Sequence, residues 1–303
     1  MKIGTVLPMN ESDGPGAQMW RKIRALAVQA EAGGLDSLWV YDHFLFRSPG
    51  EPDDGIHEAW TLLTAVAAVT ERVEVGSIVL GTGFRPPALT AKMAATADEV
   101  AGGRLILGLG TGWYEPEYQA FGYPFDHRAG RFEEALAIIV PMTRGEHVTF
   151  HGRWYDVEDA VIVPPPPRPT RLEGRIPILI AAKGDRVLRL TARHADAWNT
   201  AWFGFPDERY QGRVADLRRA CEAERRDPAT LEITVGVVIS TGPEPGDDAG
   251  PTTALRPDVD EIARAFDAWR DLGVGHLQVN LQPADERTVD LLLAAREKHL
   301  GAR

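Results

Sequence analysis

Short apolar segments and longer amphipathic segments alternate along the whole chain. Residues 3–7 are apolar and rich in β-branched side chains, which is typical of a buried strand. Residues 17–32 carry apolar side chains at helical spacing, and Gly33 and Gly34 then end the helical pattern. The same pair of patterns recurs down the chain and predicts alternating strands and helices.

The predicted strands are residues 3–7, 36–40, 73–79, 104–107, 178–181, 195–199, 231–239 and 276–280. The predicted helices are residues 17–32, 58–69, 88–101, 117–142, 184–193, 207–224, 259–271 and 285–300. Eight strand–helix units in 303 residues favour one (β/α)8 TIM barrel over a doubly wound sheet. We therefore interpret residues 1–303 as a single domain.

One segment breaks this rhythm after the fourth strand. Residues 147–157 look like a β-hairpin that turns at His151 and Gly152, and residues 164–167 are all proline. Proline cannot continue a helix or a central strand. We interpret residues 145–174 as a surface insertion within the barrel. The proline run needs no partner if it is a spacer, although it could also dock another protein.

Charge and composition argue against several classes of binding partner. The net charge of −11 argues against nucleic acid or an anionic membrane as a partner. No apolar run approaches the roughly 20 residues of a membrane span, and residues 1–8 resemble a strand more than a signal peptide. The single cysteine, Cys221, excludes an intramolecular disulfide. We expect a cytoplasmic protein that acts on a small-molecule substrate.

Candidate chemistry lies where the predicted strands end, because barrel enzymes place their active sites there. Asp42 and His43 follow the second strand. Histidine exchanges protons near neutral pH, so His43 could donate or accept a proton, or it could simply form a hydrogen bond at the barrel mouth. Asp42 could orient the site or bond a ring nitrogen, or it could be an ordinary turn carboxylate.

Three other strand ends carry possible ligand contacts. The glycines of residues 108–112 could let a ligand approach the backbone closely, or they could merely form tight turns. Lys183 and Arg186 flank the start of a predicted helix, which could cradle a phosphate or be a solvated helix end. Trp113, Trp198 and Trp202 could wall an apolar pocket, and core packing is the simpler explanation for Trp198.

Two further features have simpler explanations than ligand binding. We expect Arg85, which follows the third strand, to pair with a carboxylate rather than to bind a ligand. His147 and His151 are four residues apart, but they span a predicted hairpin without a nearby third ligand, so no metal site is predicted.

Taken together, the chain resembles the luciferase-like flavin/deazaflavin oxidoreductases (the bacterial luciferase-like superfamily), and more closely their coenzyme F420-dependent branch. The similar segments are LDSLWVYDHF, VEVGSIVLGTGFRPPALTAKMAATADEVAGGRLILGLGTGW, EYQAFGYPFDHRAGRFEEAL, VTFHGRWYDV and ILIAAKGDRVLRLTARHADAWNTAW. They extend from residue 1 to about residue 202, and the likeness is weak beyond residue 232.

The resemblance implies a cofactor ring over the barrel mouth, a phosphate at residues 182–187 and a non-proline cis peptide near Ile78–Val79. The cis peptide could also lie at Ser77–Ile78. The resemblance implies that His43 transfers a proton. The implied cofactor-binding residues are Asp42, Ile78, Val79, Gly81, Thr111, Gly112, Lys183, Gly184, Arg186 and Val187. The expected substrate pocket contains Trp113, Asn199 and Trp202.

One departure from the family affects the predicted reaction. Sugar-phosphate dehydrogenase members carry a catalytic glutamate after the GTG turn, where this chain has Trp113. This favours a reductase or monooxygenase that acts on an apolar or aromatic molecule. We predict an F420-dependent oxidoreductase; the alternatives are an FMN-dependent monooxygenase that uses reduced flavin and O2, and a cofactor-binding protein without turnover. Family resemblance also implies a homodimer.

Overall fold

Eight parallel strands close into a barrel in the computed structural model, which describes residues 1–10, 19–47, 50, 52–165, 175–242, 246–247, 250–251 and 254–301. The barrel strands are Lys2–Val6 (β1), Ser37–Val40 (β2), Glu74–Ser77 (β3), Leu105–Gly110 (β4), Ile178–Ala181 (β5), Ala197–Phe203 (β6), Glu232–Ser240 (β7) and His276–Gln282 (β8). The predicted TIM barrel is confirmed.

The strands pair in chain order around the barrel. Two pairings close the ring: β4 with β5, where Leu107 is opposite Ile178, and β8 with β1, where Lys2 is opposite His276. Every residue of β4 is buried, as expected of a strand covered on both faces. A two-residue strand, Leu80–Gly81, pairs with the end of β4 and extends the wall beyond β3.

Helices surround the barrel within the described residues. They are Met19–Ala32 (α1), Ala59–Ala68 (α2), Pro87–Val100 (α3), Glu115–Phe121 (α4), Arg128–Thr143 (α5), Asp185–His194 (α6), Glu208–Ala223 (α7), Val259–Asp271 (α8) and Glu286–Gly301 (α9). Several starts follow from side chains that cap free backbone N–H groups: Glu58 caps α2, Asp207 caps α7 and Asp258 caps α8. None of the helices in this part of the chain is both long and apolar enough to cross a membrane.

The prediction of one helical tract over residues 117–142 was wrong in detail. Two helices, α4 and α5, occupy this region. Gly122 follows α4 in the left-handed conformation with φ of 76°, which ends the helix, and His127 precedes α5 with φ of 48°. The break directs α4 toward the barrel mouth, where it contributes to the site described below.

The predicted hairpin after β4 is present as antiparallel strands Val148–His151 and Asp156–Ala160. Its turn spans residues 152–155, slightly later than predicted. Residues 166–174 lie outside the described residues, so the extent of the insertion over 145–174 stays a prediction. A second small hairpin, Leu45–Phe46 with Asp54–Gly55, forms part of the loop after β2.

Apolar packing closes the barrel beneath its mouth. A cluster inside the barrel consists of Val6, Trp39, Ile78, Ile106, Leu179 and Ala197. Tyr41, Val79 and Trp202 pack against this cluster and are only partly buried. The interior is therefore a filled core, and the site described below lies above it, at the C-terminal ends of the strands.

Candidate active site

A cavity of about 560 Å³ opens at the C-terminal ends of the barrel strands. Its volume lies within the range typical of small-molecule sites. The lining residues are Tyr41, Asp42, His43, Ile78, Val79, Gly81, Gly110, Thr111, Gly112, Trp113, Glu117, Arg128, Ala181, Ala182, Lys183, Val187, Asn199, Thr200, Ala201 and Trp202. All the site residues predicted from the sequence are among them except Gly184 and Arg186.

His43 is held on the cavity wall by a buried carboxylate. Its Nδ1 lies 2.8 Å from Oε1 of Glu117, whose side chain is only 1% exposed. The other carboxylate oxygen, Oε2, accepts the backbone N–H of Phe44 at 2.9 Å. The rings of Phe46 and Trp113 flank the imidazole, with centroids 4.7 and 5.6 Å away. These contacts restrict the orientation of His43 at the cavity.

Asp42 is turned into the wall behind His43. Its side chain is fully buried, and its two oxygens accept hydrogen bonds from Arg85 at 2.7 and 3.1 Å. The backbone N–H of Gly81 donates to the same carboxylate at 3.0 Å, and Arg85 also bonds Glu58, the cap of α2. The prediction that Arg85 pairs with a carboxylate is confirmed.

Burial and ion pairing act in opposite directions on the pKa values of Asp42 and Arg85. Burial raises the pKa of Asp42, whereas Arg85 and the Gly81 N–H act in the opposite direction by favouring the charged form. Burial of Arg85 acts to lower its pKa, but the carboxylates of Asp42 and Glu58 outweigh it, so the pKa of Arg85 is raised. A direct contact between Asp42 and a cofactor stays a prediction, and the observed bonds show that this carboxylate links β2 to the chain beyond β3.

The wall between β3 and β4 has irregular backbone. The peptide between Ile78 and Val79 is cis, as the family resemblance implied. A second non-proline cis peptide, between Ala201 and Trp202 at the end of β6, was not predicted.

The glycines at the end of β4 and just after it are explained by packing within the protein. A Cβ at Gly110 would lie 2.5 Å from the Val79 side chain, and one at Gly112 would lie 1.8 Å from the Tyr118 hydroxyl. Gly112 also has φ of 71°, which other residues rarely adopt. Close packing is therefore sufficient to require these glycines.

Basic side chains gather beside the cavity, near the start of α6. Lys183 lines the main cavity, and Gly184 precedes α6 with φ of 80°. Arg186 instead lines an adjoining cavity of about 430 Å³, together with His127, Arg128 and Trp154. The two cavities share residues Thr111, Arg128 and Val187. An anionic group at the helix start would meet positive charge from both sides, although Arg186 also bonds Glu133 at 2.6 Å.

The end of β6 forms the opposite wall. The Asn199 amide donates to Thr234 at 3.0 Å and to Gln278 at 3.1 Å, so the barrel interior orients its side chain. Arg209 donates to the Trp202 carbonyl oxygen, which fixes the backbone at the cavity edge. Trp198 is fully buried in the core and does not line the cavity.

Sequence reasoning missed Glu117 and Arg128 as site residues. Both lay inside the helical tract with polar interruptions that was predicted over residues 117–142, and α4 and α5 bring one of them each to the cavity. The available signal was the position of Glu117 only four residues after Trp113, which follows a strand end at the barrel mouth.

The hairpin histidines lie apart from the site. His147 and His151 pair with Asp159 and Asp156 on the exposed hairpin. In the parts of the chain that the structure describes, no group of three metal-binding side chains is found.

Comparison with known proteins identifies the family. A family model described as "Luciferase-like monooxygenase" matches residues 1–249. The chain belongs to this luciferase-like family. Among known relatives, the F420-dependent glucose-6-phosphate dehydrogenase of Kineococcus radiotolerans is 34% identical over 229 residues, covering 74% of this chain and 65% of that protein.

Solved structures confirm the fold of this luciferase-like protein. An F420-dependent secondary alcohol dehydrogenase in complex with an F420-acetone adduct matches with a TM-score of 0.79 at 16% identity, over 98% of both chains. EDTA monooxygenase from a Chelativorans species matches with a TM-score of 0.76 at 16% identity, over 98% of this chain and 94% of the other. The chain is thus an oxidoreductase or monooxygenase of the luciferase-like class.

Proposed function

We propose that this luciferase-like protein is an F420-dependent oxidoreductase. It would transfer a hydride between the deazaflavin and an apolar or aromatic small molecule. The observation that carries the proposal is the imidazole of His43, held by Glu117 on the wall of a cavity of suitable size. The dependence on F420 of a relative 34% identical to this chain supports the choice of cofactor.

The described residues fit such a cofactor. A flat ring with an anionic tail needs an apolar slot joined to a positively charged region. The main cavity offers Ile78, Val79 and Trp202 as apolar walls. Arg128 lines both cavities, and Arg186 lines the adjoining one. When bound, the deazaflavin supplies the carbon that accepts or donates the hydride. The protein residues would bind the tail and hold the substrate over the ring.

Proton transfer falls to His43 in this proposal. Hydride removal from an alcohol carbon releases the hydroxyl proton, and reduction of a carbonyl requires that a proton be added. A positioned histidine typically contributes ~10²–10⁴-fold to the rate of such a step. Because His43 lines the cavity and is fixed by Glu117, it can meet the substrate oxygen without a large rearrangement.

The rim of the cavity supports the proposed substrate class. Phe46, Trp113 and Tyr114 form an aromatic group beside His43, and Trp113 is 52% exposed. Exposed aromatic rings at a cavity mouth favour contact with apolar or aromatic ligands. Sugar-phosphate dehydrogenases resembled by this chain have a glutamate where Trp113 stands, so we propose a less polar substrate.

An FMN-dependent monooxygenase is the second candidate. The fold match to EDTA monooxygenase supports it, because the same barrel also occurs in oxygen-using enzymes. A cofactor-binding protein without turnover is the third. The homodimer and the cytoplasmic location also stay predictions.

Fluorescence titration of the purified protein with F420 and with FMN tests the proposal. We expect F420 to bind at least tenfold more tightly, a difference of ~1.4 kcal/mol. The His43→Ala variant should bind F420 with similar affinity, but its kcat should be lower by ~10²-fold or more. Tighter binding of FMN would refute the choice of cofactor, and unchanged turnover in His43→Ala would refute the role of His43. Absence of turnover with a panel of alcohols and ketones would favour the passive binder.

A further inference from the structure

We propose that Glu117 is a positioning residue that holds His43 as the Nδ1–H tautomer and presents Nε2 to the substrate oxygen. This assignment rests on the proposed function for its catalytic meaning. Its structural part, the tautomer of His43, can be measured without any cofactor.

The hydrogen bonds around Glu117 indicate which ring nitrogen of His43 carries the proton. Oε2 already accepts the N–H of Phe44, and Oε1 faces Nδ1 of His43 at 2.8 Å. The proposal takes Glu117 as a carboxylate, which only accepts hydrogen bonds, and therefore makes Nδ1 the donor. Because Nδ1 is engaged by Glu117, we assign Nε2 as the nitrogen that meets the substrate.

Burial makes this contact strong and hard to replace. A buried carboxylate must be hydrogen-bonded, and both oxygens of Glu117 have partners on the segment that follows β2. The rings of Phe46 and Trp113 pack on the imidazole, so it cannot easily rotate away from Glu117. The dyad joins α4 to the end of β2, two elements that are 74 residues apart in the chain.

The chemical consequence is a histidine prepared to accept a proton. During oxidation of an alcohol, the C–H bond breaks and its electron pair leaves as hydride to the deazaflavin. The O–H bond breaks as well, and its proton passes to Nε2 while the C=O bond forms. The imidazolium then lies against the Glu117 carboxylate, whose negative charge offsets the new positive charge. Reduction of a carbonyl runs through the same steps in reverse.

Replacing Glu117 with glutamine should reverse the tautomer. The glutamine amide has one oxygen and one NH2 group in place of two acceptors. If its oxygen keeps the Phe44 N–H, its NH2 faces Nδ1, which must then accept and leave the ring proton on Nε2. A ring in that state cannot take a proton from the substrate hydroxyl. The rates of alcohol oxidation and of carbonyl reduction should therefore fall by the same factor.

Nitrogen NMR of the full chain labelled with ¹⁵N-histidine tests the tautomer, and the signal missing from His43→Ala assigns His43. We expect the proton on Nδ1 in the wild type and on Nε2 in Glu117→Gln. In steady-state assays with F420, kcat of Glu117→Gln should fall ~10²-fold, whereas KM should change less than about threefold. Glu115→Gln is the matched control, because Glu115 lies on the same helix, is exposed and accepts a hydrogen bond from Gln119. In this variant, both the His43 tautomer and kcat should match the wild type.

The two parts of the test separate the two hypotheses. A wild-type ring that carries its proton on Nε2, or a Glu117→Gln variant with unchanged kcat, would overturn the role of Glu117. An Nδ1–H ring in a protein without F420-dependent turnover would support the hydrogen-bond assignment while refuting the proposed function.

Discussion

Replacing Arg85 with methionine should leave a buried carboxylate without its compensating charge. Arg85 donates to both oxygens of Asp42, and the Asp42 side chain is fully buried. Removing one partner of a buried ion pair typically costs ~3–5 kcal/mol. Domains of this kind have a free energy of unfolding of ~5–15 kcal/mol, so the variant should fold in water but unfold at much lower urea.

Urea unfolding at pH 7, followed by tryptophan fluorescence, measures this loss. The Asp42→Asn/Arg85→Met double variant removes both charges and should be more stable than Arg85→Met alone. Arg47→Met is the control, because Arg47 forms a comparable pair with Asp53 on the surface, where both side chains are about half exposed. Surface pairs contribute little, so the control should resemble the wild type.

The loss should also depend on pH. Burial raises the pKa of Asp42 and Arg85 opposes that rise, so the pKa should climb further in Arg85→Met. Above the unfolded-state pKa, the folded variant then holds a proton that the unfolded chain has released. Its free energy of unfolding falls as pH rises through this window. The difference in free energy of unfolding between the wild type and Arg85→Met should therefore be smaller at pH 5 than at pH 7. A difference below ~1 kcal/mol at pH 7, or a double variant no more stable than Arg85→Met, would refute the assigned charge pairing.

Two further predictions concern the barrel around the site. Burial raises the pKa of Asp98 from 3.8 to about 6, so wild-type stability should fall by up to ~3 kcal/mol between pH 4 and pH 7 on account of this group. Asp98→Asn should lack that slope in urea unfolding, and an identical slope in both proteins would contradict the assignment. Gly112→Ala should destabilise the protein by well over ~1 kcal/mol, because its Cβ would meet the Tyr118 hydroxyl at 1.8 Å in addition to the strain of a positive φ. Gly122→Ala is the matched control: Gly122 has φ of 76° but open space around its Cβ, so thermal unfolding should show the smaller loss there.

Two buried carboxylates, Asp42 and Glu117, give the site its rigidity from different directions. Asp42 connects β2 through Arg85 to the cap of α2, and Glu117 connects β2 to α4. Both contacts converge on the two adjacent residues 42 and 43. The position of His43 is therefore fixed by three separate elements, which is the arrangement that a proton-transferring group requires.

The sequence determined the architecture because its signals are local. Strand and helix periodicity, Gly33 and Gly34 after α1, and proline at the start of α3 all act within a few residues. Eight repeats of that local pattern left one closed barrel as the simplest arrangement, and barrel geometry then placed His43 and Trp113 at the mouth. Family resemblance added the cis peptide at Ile78–Val79, which periodicity could not have suggested.

Only the tertiary structure decided which side chains meet. Asp42 and Arg85 are 43 residues apart, and His43 and Glu117 are 74 apart, so no local pattern records either contact. Gly110 and Gly112 allowed two explanations until the neighbouring Val79 and Tyr118 side chains showed that packing requires them. Glu117 lay in a helical tract whose polar interruptions did not show where the chain would turn, and the structure places that turn at the left-handed Gly122. Periodicity reports how a segment is buried, whereas the chemistry at the mouth depends on distances between segments far apart in the chain.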